Sequence, residues 1–153
     1  MIVVSDTTAI TSLLQIGRCE LLAMLHREVL IPQAVHQELL LAHPTLPEFL
    51  RVEFARNGAE VQRLQAELDL GEAEAIVLAK EQTADLLLID ESEGRRVALR
   101  EGVSIIGLLG VLVQAKRLGF INSVRELTTK LEGIADFRVA EEVKEIIFRS
   151  AGE

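Results

Sequence analysis

Short apolar runs without alternation recur along the chain, and each is followed by a segment with helical spacing. Ile2, Val3 and Val4 open it and read as a strand buried on both faces, because a strand with one solvated face would alternate. Ser5, Asp6, Thr7 and Thr8 break the run and offer side-chain oxygens to the free N–H groups of a helix start. A helix is predicted over 9–16, with Ile10, Leu13 and Leu14 on one side and Gly17 at its end. A second short helix carries Leu21, Leu22 and Leu25.

Val29, Leu30 and Ile31 form the next strand candidate, and Pro32 stands where a first helical residue tolerates a missing N–H. That helix runs to about Leu41 and turns Val35, Leu39 and Ala42 inward. Residues 43–47, with Pro44 and Pro47, read as a loop; 50–55 reads as a strand, closed by Gly58. Helical spacing returns over 59–68 through Val61, Leu64 and Leu68, and 69–71 interrupts it. The following helix, 72–82, lines up Ala75, Ile76 and Ala79. Leu86 to Ile89 is an unbroken apolar strand ending on Asp90. A helix over 91–100, a strand over 103–106 and helices near 108–118, 123–132 and 139–149 complete the chain. Strands alternating with helices predict an α/β domain with a mostly parallel sheet. A single domain is expected over 1–153, its helices from about 123 forming a packing or partner-binding arm.

Composition narrows the function. The 153 residues are 49% hydrophobic and 26% charged, which supports a real core. Cys19 is alone, so no disulfide framework is expected. The N-terminus lacks a charged leader, no apolar run approaches the roughly 20 residues of a spanning helix, and a cytoplasmic protein without membrane contact is expected. The net charge of −8 argues against a basic face that coats nucleic acid, and the absence of Trp and Tyr argues against an aromatic base-stacking platform.

Acids stand out instead. Asp6 and Asp90 each end an apolar strand, and the C-terminal ends of parallel strands line the functional crevice of such sheets. Glu38 and Glu72 are further candidates. Each has an ordinary alternative: Asp after a strand as a helix cap, Glu72 in a first helical turn, Glu38 on a solvated face. No P-loop, G-x-G-x-x-G, nucleophile elbow or zinc spacing occurs, and His26, His36 and His43 are expected at the surface.

The segment Ile2-Val3-Val4-Ser5-Asp6-Thr7-Thr8-Ala9-Ile10 resembles the opening strand and first acid of PIN domains. Ile31-Pro32-Gln33-Ala34-Val35-His36-Gln37-Glu38-Leu39 resembles the strand-Pro-helix segment with the second acid. Gly71-Glu72-Ala73-Glu74-Ala75-Ile76-Val77-Leu78-Ala79 resembles the third-acid helix, and Leu86-Leu87-Leu88-Ile89-Asp90-Glu91 the strand that delivers the fourth. The resemblance is nearest to the group related to VapC-type toxins. It differs in carrying Glu where those toxins usually have Asp at the third acid. Glu72 and Glu74 both compete for that place, and Glu72 is preferred for its offset to Asp90 and its position at the helix start. The strand before Asp90 also lacks the family's Thr-Arg-Asp or Thr-Asn-Asp ending.

The resemblance implies a three-layer α/β/α sandwich and a metal-dependent ribonuclease, the toxin of a toxin–antitoxin pair. It implies Mg²⁺ or Mn²⁺ held by Asp6, Glu38, Glu72 and Asp90, with Asp6 bridging. Thr8 would orient Asp6 or a water, Glu91 or Glu93 would supply an additional acid, and Arg95 would meet a phosphate. Arg96 and Arg100 lie beside Arg95 and are set against pairing with Glu91, Glu93 and Glu101. RNA is the expected substrate, an antitoxin protein and a second copy of the chain the expected partners. The alternative function is a non-catalytic module that binds nucleic acid or protein. A receiver-like signalling module is discounted, since only Asp6 ends the first strand and no lysine follows the 103–106 strand.

Overall fold

The computed structural model describes all 153 residues. Five short strands run parallel in one sheet: β1 (Val3–Ser5), β2 (Val29–Ile31), β3 (Leu50–Val52), β4 (Leu86–Leu88) and β5 (Ile105–Ile106). Their order is β3-β2-β1-β4-β5, so the winding direction reverses between β1 and β4. Nine helices connect and flank them: α1 (Thr7–Gln15), α2 (Glu20–His26), α3 (Gln33–Ala42), α4 (Gly58–Leu64), α5 (Leu70–Glu81), α6 (Ser92–Arg100), α7 (Leu108–Arg117), α8 (Val124–Ile134) and α9 (Glu141–Ser150).

The unbroken apolar runs are explained by helices on both sides of the sheet. Val29, Ile31 and Leu88 pack with Ile10 and Leu13 of α1, Leu21 and Leu22 of α2, Leu112 of α7 and Leu131 of α8. Val4, Leu30, Leu87 and Ile89 pack the other way, against Val61 and Leu64 of α4, Ile76 and Leu78 of α5 and Val97 of α6. The central strands β1, β2 and β4 therefore need apolar residues at successive positions, whereas edge strand β3 exposes Arg51, and the result is the three-layer α/β/α sandwich. Leu13, Leu22, Ile31, Ile76 and Leu87 are fully buried, each contributing about 1.5–3 kcal/mol relative to exposure.

Pairing extends one residue past β1 and β4. Asp6 N–H donates to Leu88 O at 3.0 Å, and Ile89 N–H donates to Ile106 O at 3.0 Å. Those bonds fix Asp6 and Asp90 at one edge of the sheet, on either side of the reversal, where such folds bind ligands.

Several boundaries differ from expectation for identifiable reasons. β1 is displaced by one residue, because Ile2 N–H is held outside the sheet by the Asp85 carboxylate at 2.7 Å. Pro32 is the N-cap of α3 and not its first residue. β3 stops at Val52; Gly58 opens α4 and does not close the strand unit. β5 covers Ile105–Ile106 alone. The interruption predicted over 69–71 is a helix start: Asp69 caps α5, which begins at Leu70. His26, expected at the surface, is buried with both ring nitrogens unpartnered, and burial lowers its proton affinity.

At the C-terminal end, α8 and α9 both pack against α7. Arg125 lies 4.3 Å over the ring of buried Phe148, a cation–π contact joining α8 to α9. Glu153 bends back to cap α8, accepting from Val124 N at 2.6 Å, Arg125 N at 3.1 Å and Ser123 Oγ at 2.9 Å, and pairs with Lys116 Nζ at 2.9 Å.

Candidate functional site

A pocket of about 370 Å³ opens beside the reversal between β1 and β4. It is lined by Asp6, Thr7, Thr8, Glu38, Asp69, Glu72, Glu91, Ser92 and Glu93. Six of these are acids and none is basic. Elements far apart in sequence deliver them: the end of β1, the middle of α3, the start of α5 and the turn between β4 and α6.

Asp6 is buried and serves as the N-cap of α1, its Oδ1 accepting from Thr7 N at 2.7 Å. Burial pushes its pKa up to about 6, against the Thr7 N–H and with help from the charges of Asp69, Glu38 and Glu91. Glu38 reaches the pocket from α3, and its Oε2 accepts from Thr7 Oγ1 at 2.8 Å. The hydroxyl that grips a pocket acid is thus Thr7's; Thr8 lines the pocket and makes no side-chain hydrogen bond.

Glu72 is buried in the first turn of α5. It forms a reciprocal capping box with Asp69: Glu72 N–H donates to Asp69 Oδ1 at 2.8 Å, and Asp69 N–H donates to Glu72 Oε1 at 3.4 Å. Burial raises its pKa, as do the charges of Asp69 and Asp6. Glu74 faces elsewhere, accepting from Ala34 N at 2.9 Å and so supplying the cap that Pro32 cannot give to α3.

Asp90 stands at the same sheet edge but outside this pocket. Both its oxygens face Leu108 N, at 3.1 and 3.2 Å, and cap α7, whose own N-cap Gly107 has no side chain to do so. Burial raises its pKa, opposed by the Leu108 N–H and by Arg95. As placed, no three of the acids converge on one coordination point. The donor set itself suits a hard divalent cation: carboxylate and hydroxyl oxygens, two of the carboxylates buried, and no competing base.

Beyond Thr8, Glu91 and Ser92 the pocket continues into a groove of about 1000 Å³, walled by Ile106, Leu109, Phe137, Val143 and Ile147. Arg95 and Arg138 are its cations. Arg95 Nη1 donates to Ile89 O at 2.8 Å and forms no ion pair. Arg96 and Arg100 are unlike it. Arg96 pairs with Glu67 and Glu93, and Arg100 with Glu67 and Glu101, so they neutralise acids on their own face.

Three residues that line the pocket escape a reading of the sequence: Asp69, Thr7 and Ser92. Asp69 had a visible signal, since Asp69-x-x-Glu72 matches a capping box; Thr7 and Thr8 are told apart only by the start of α1.

Residues 2–153 match the model of the DUF3368 family, described as a PIN domain. No curated protein and no solved structure gives a significant match.

Proposed function

The chain belongs to the PIN-domain family, whose members are generally nucleases, and on that premise we propose that it is a ribonuclease dependent on Mg²⁺ or Mn²⁺. The observation that carries this reading is the pocket of six acids and no base at the reversal between β1 and β4. Crowded carboxylates at neutral pH need protons or cations, and Asp6 and Glu72 have raised proton affinity, chiefly through burial and further through the neighbouring acids.

Asp6, Glu38 and Glu72 are the ligands we assign, with Asp69 and Thr7 holding Glu72 and Glu38 in place. A bound cation supplies charge stabilisation at the phosphate and a more acidic water. Asp90 secures the end of β4 to α7 at the border of the pocket. Arg95, free of any carboxylate partner, is the group we assign to a substrate phosphate. With a net charge of −8 the chain attracts RNA poorly by itself, so the cation precedes the phosphate. The likeness to VapC-type toxins supports a place in a toxin–antitoxin pair and a homodimer; light scattering that gives a monomer mass over a wide concentration range overturns the dimer.

A second reading, a non-catalytic binding module, draws on the engagement of Asp90 with Leu108 and on the separation of the acids. Calorimetric titration with Mn²⁺, run beside an RNA cleavage assay on wild type and Asp6→Asn, separates the two. Metal binding and cleavage that Asp6→Asn abolishes support the nuclease. Absence of both in wild type leaves the binding module.

A further inference from the structure

Among the three assigned ligands Asp6 and Glu72 are buried, and Glu38 is the one exposed residue. It sits midway along α3, and one hydrogen bond, from Thr7 Oγ1 to Oε2 at 2.8 Å, orients its carboxylate. The other oxygen, Oε1, rests against the backbone of α5 at Gly71. A Cβ built on Gly71 would stand 2.9 Å from Glu38 Oε1, closer than real Cβ contacts come, while its next neighbours, Asp69 Oδ1 and Val35 Cγ2, would lie at a comfortable 3.6 Å.

Gly71 is the second residue of α5, and nothing in the helix itself calls for glycine there. Its φ is not in the left-handed region, and alanine is the better helix former at a helical position. The missing side chain is accounted for by Glu38 alone. That contact differs from the one at Gly94, where a Cβ would meet buried Ile89 at 2.6 Å as well as Glu72 Oε2 at 2.8 Å. At Gly71 only the flexible end of a glutamate stands in the way.

We propose that Gly71 is a positioning residue for the cation pocket: it leaves the space in which the Glu38 carboxylate is held between the Thr7 hydroxyl and the start of α5. The inference rests on the reading of the pocket as a cation site. Gly71→Ala moves Glu38 and little else. The metal-free fold keeps its stability or gains some, because the only strained contact is relieved by rotating one side chain, and cation affinity falls.

The test is calorimetric titration of the metal-free full chain with Mn²⁺ alone, with thermal melts of the same samples. Gly71→Ala is expected to weaken Mn²⁺ binding by about tenfold to a hundredfold, the range for displaced ligand supports, without lowering the metal-free Tm. Gly58→Ala, at a first helical residue whose Cβ would meet nothing within 4 Å, is the control and leaves binding unchanged. In a Glu38→Ala background Gly71→Ala should have no further effect on binding, because its target is gone. Unchanged affinity in Gly71→Ala overturns the inference. So does a loss that persists when Glu38 is absent, or a fall in the metal-free Tm. If wild type itself binds no Mn²⁺, the cation reading of the pocket fails and takes this inference with it.

Discussion

Thr7 Oγ1 donates to Glu38 Oε2 at 2.8 Å, joining the first residue of α1 to the middle of α3 across 31 positions of sequence. Thr7 N–H meanwhile donates to Asp6 Oδ1 at 2.7 Å, so one residue orients two pocket acids. Thr7→Val keeps the shape and removes the hydroxyl. The expected outcome is Mn²⁺ affinity lowered about tenfold, with a stability loss of about 0.5–1.5 kcal/mol, the net value of one hydrogen bond. Calorimetry and denaturant melts measure the pair, and wild-type affinity in Thr7→Val would show the contact to be incidental.

The metal-free protein should be less stable at pH 7.5 than at pH 5. Asp6 keeps its proton in the folded chain up to about 6, whereas its ordinary value is 3.8. Between those values the native state binds more protons than the unfolded state, so stability falls as pH rises. Between pH 5 and pH 7.5 the loss from Asp6 alone is about 1.4 kcal/mol by linkage. The fall in thermal stability across this range should be shallower in Asp6→Asn, with buried Glu72 supplying the remainder, and saturating Mn²⁺ should recover the stability of wild type at the alkaline end. A wild-type Tm that does not fall between these two pH values contradicts the burial of Asp6 as a proton trap.

Gly94→Ala should cost stability outright. Its Cβ would stand 2.6 Å from Ile89 Cδ1 in the sealed layer between α5, α6 and the sheet. Overpacking of this kind costs about 1–3 kcal/mol. A chemical-denaturation midpoint equal to that of wild type would mean that Ile89 has room the packing does not show.

Glu153→Ala should loosen the C-terminal helices. The carboxylate supplies the N-terminus of α8 with two acceptors and pairs with Lys116. Burial pushes its pKa up, but Lys116, the two backbone N–H groups and Ser123 outweigh that and hold it at about 2. Its stabilisation is therefore complete above the usual glutamate range and is lost only as pH falls toward 2. Removing it costs about 1–2 kcal/mol, as for a helix cap. Hydrogen exchange should be faster in α8 than in β1 or β4 of the same variant; uniform exchange would show the cap to be dispensable.

Local chemistry made part of this legible in sequence. The runs Val29–Ile31 and Leu86–Ile89 betray strands because helices on both faces demand apolar residues in succession. Asp6 and Glu38 are recognisable because each follows a strand or a strand-Pro step at a short, fixed distance. What sequence conceals is what depends on distant partners. Arg96 and Arg100 look like a cationic patch until Glu67, from the turn after α4, is found between them. Asp90 is legible as an acid at a strand end, but its bond to the N–H of Leu108, 18 residues on, is not. Lone His26 carries no local sign that it is buried. Sequence periodicity places helix starts one or two residues late or early, since Asp69 and Pro32 act as caps and so stand outside the helices they begin.

The reversal of winding between β1 and β4 has a consequence for biosynthesis. β1 pairs on one side with β2, the next strand in sequence, and on the other with β4, which lies about 80 residues further along the chain than β1. A chain emerging from the ribosome exposes Asp6 and Glu38 early, but the opposite wall, from Asp69 to Glu93, is translated later and docks only when β4 slots in beside β1. Long-range pairing of this kind forms late in folding. The pocket therefore comes into being only with the finished sheet, and a half-made chain holds its acids without the wall that faces them.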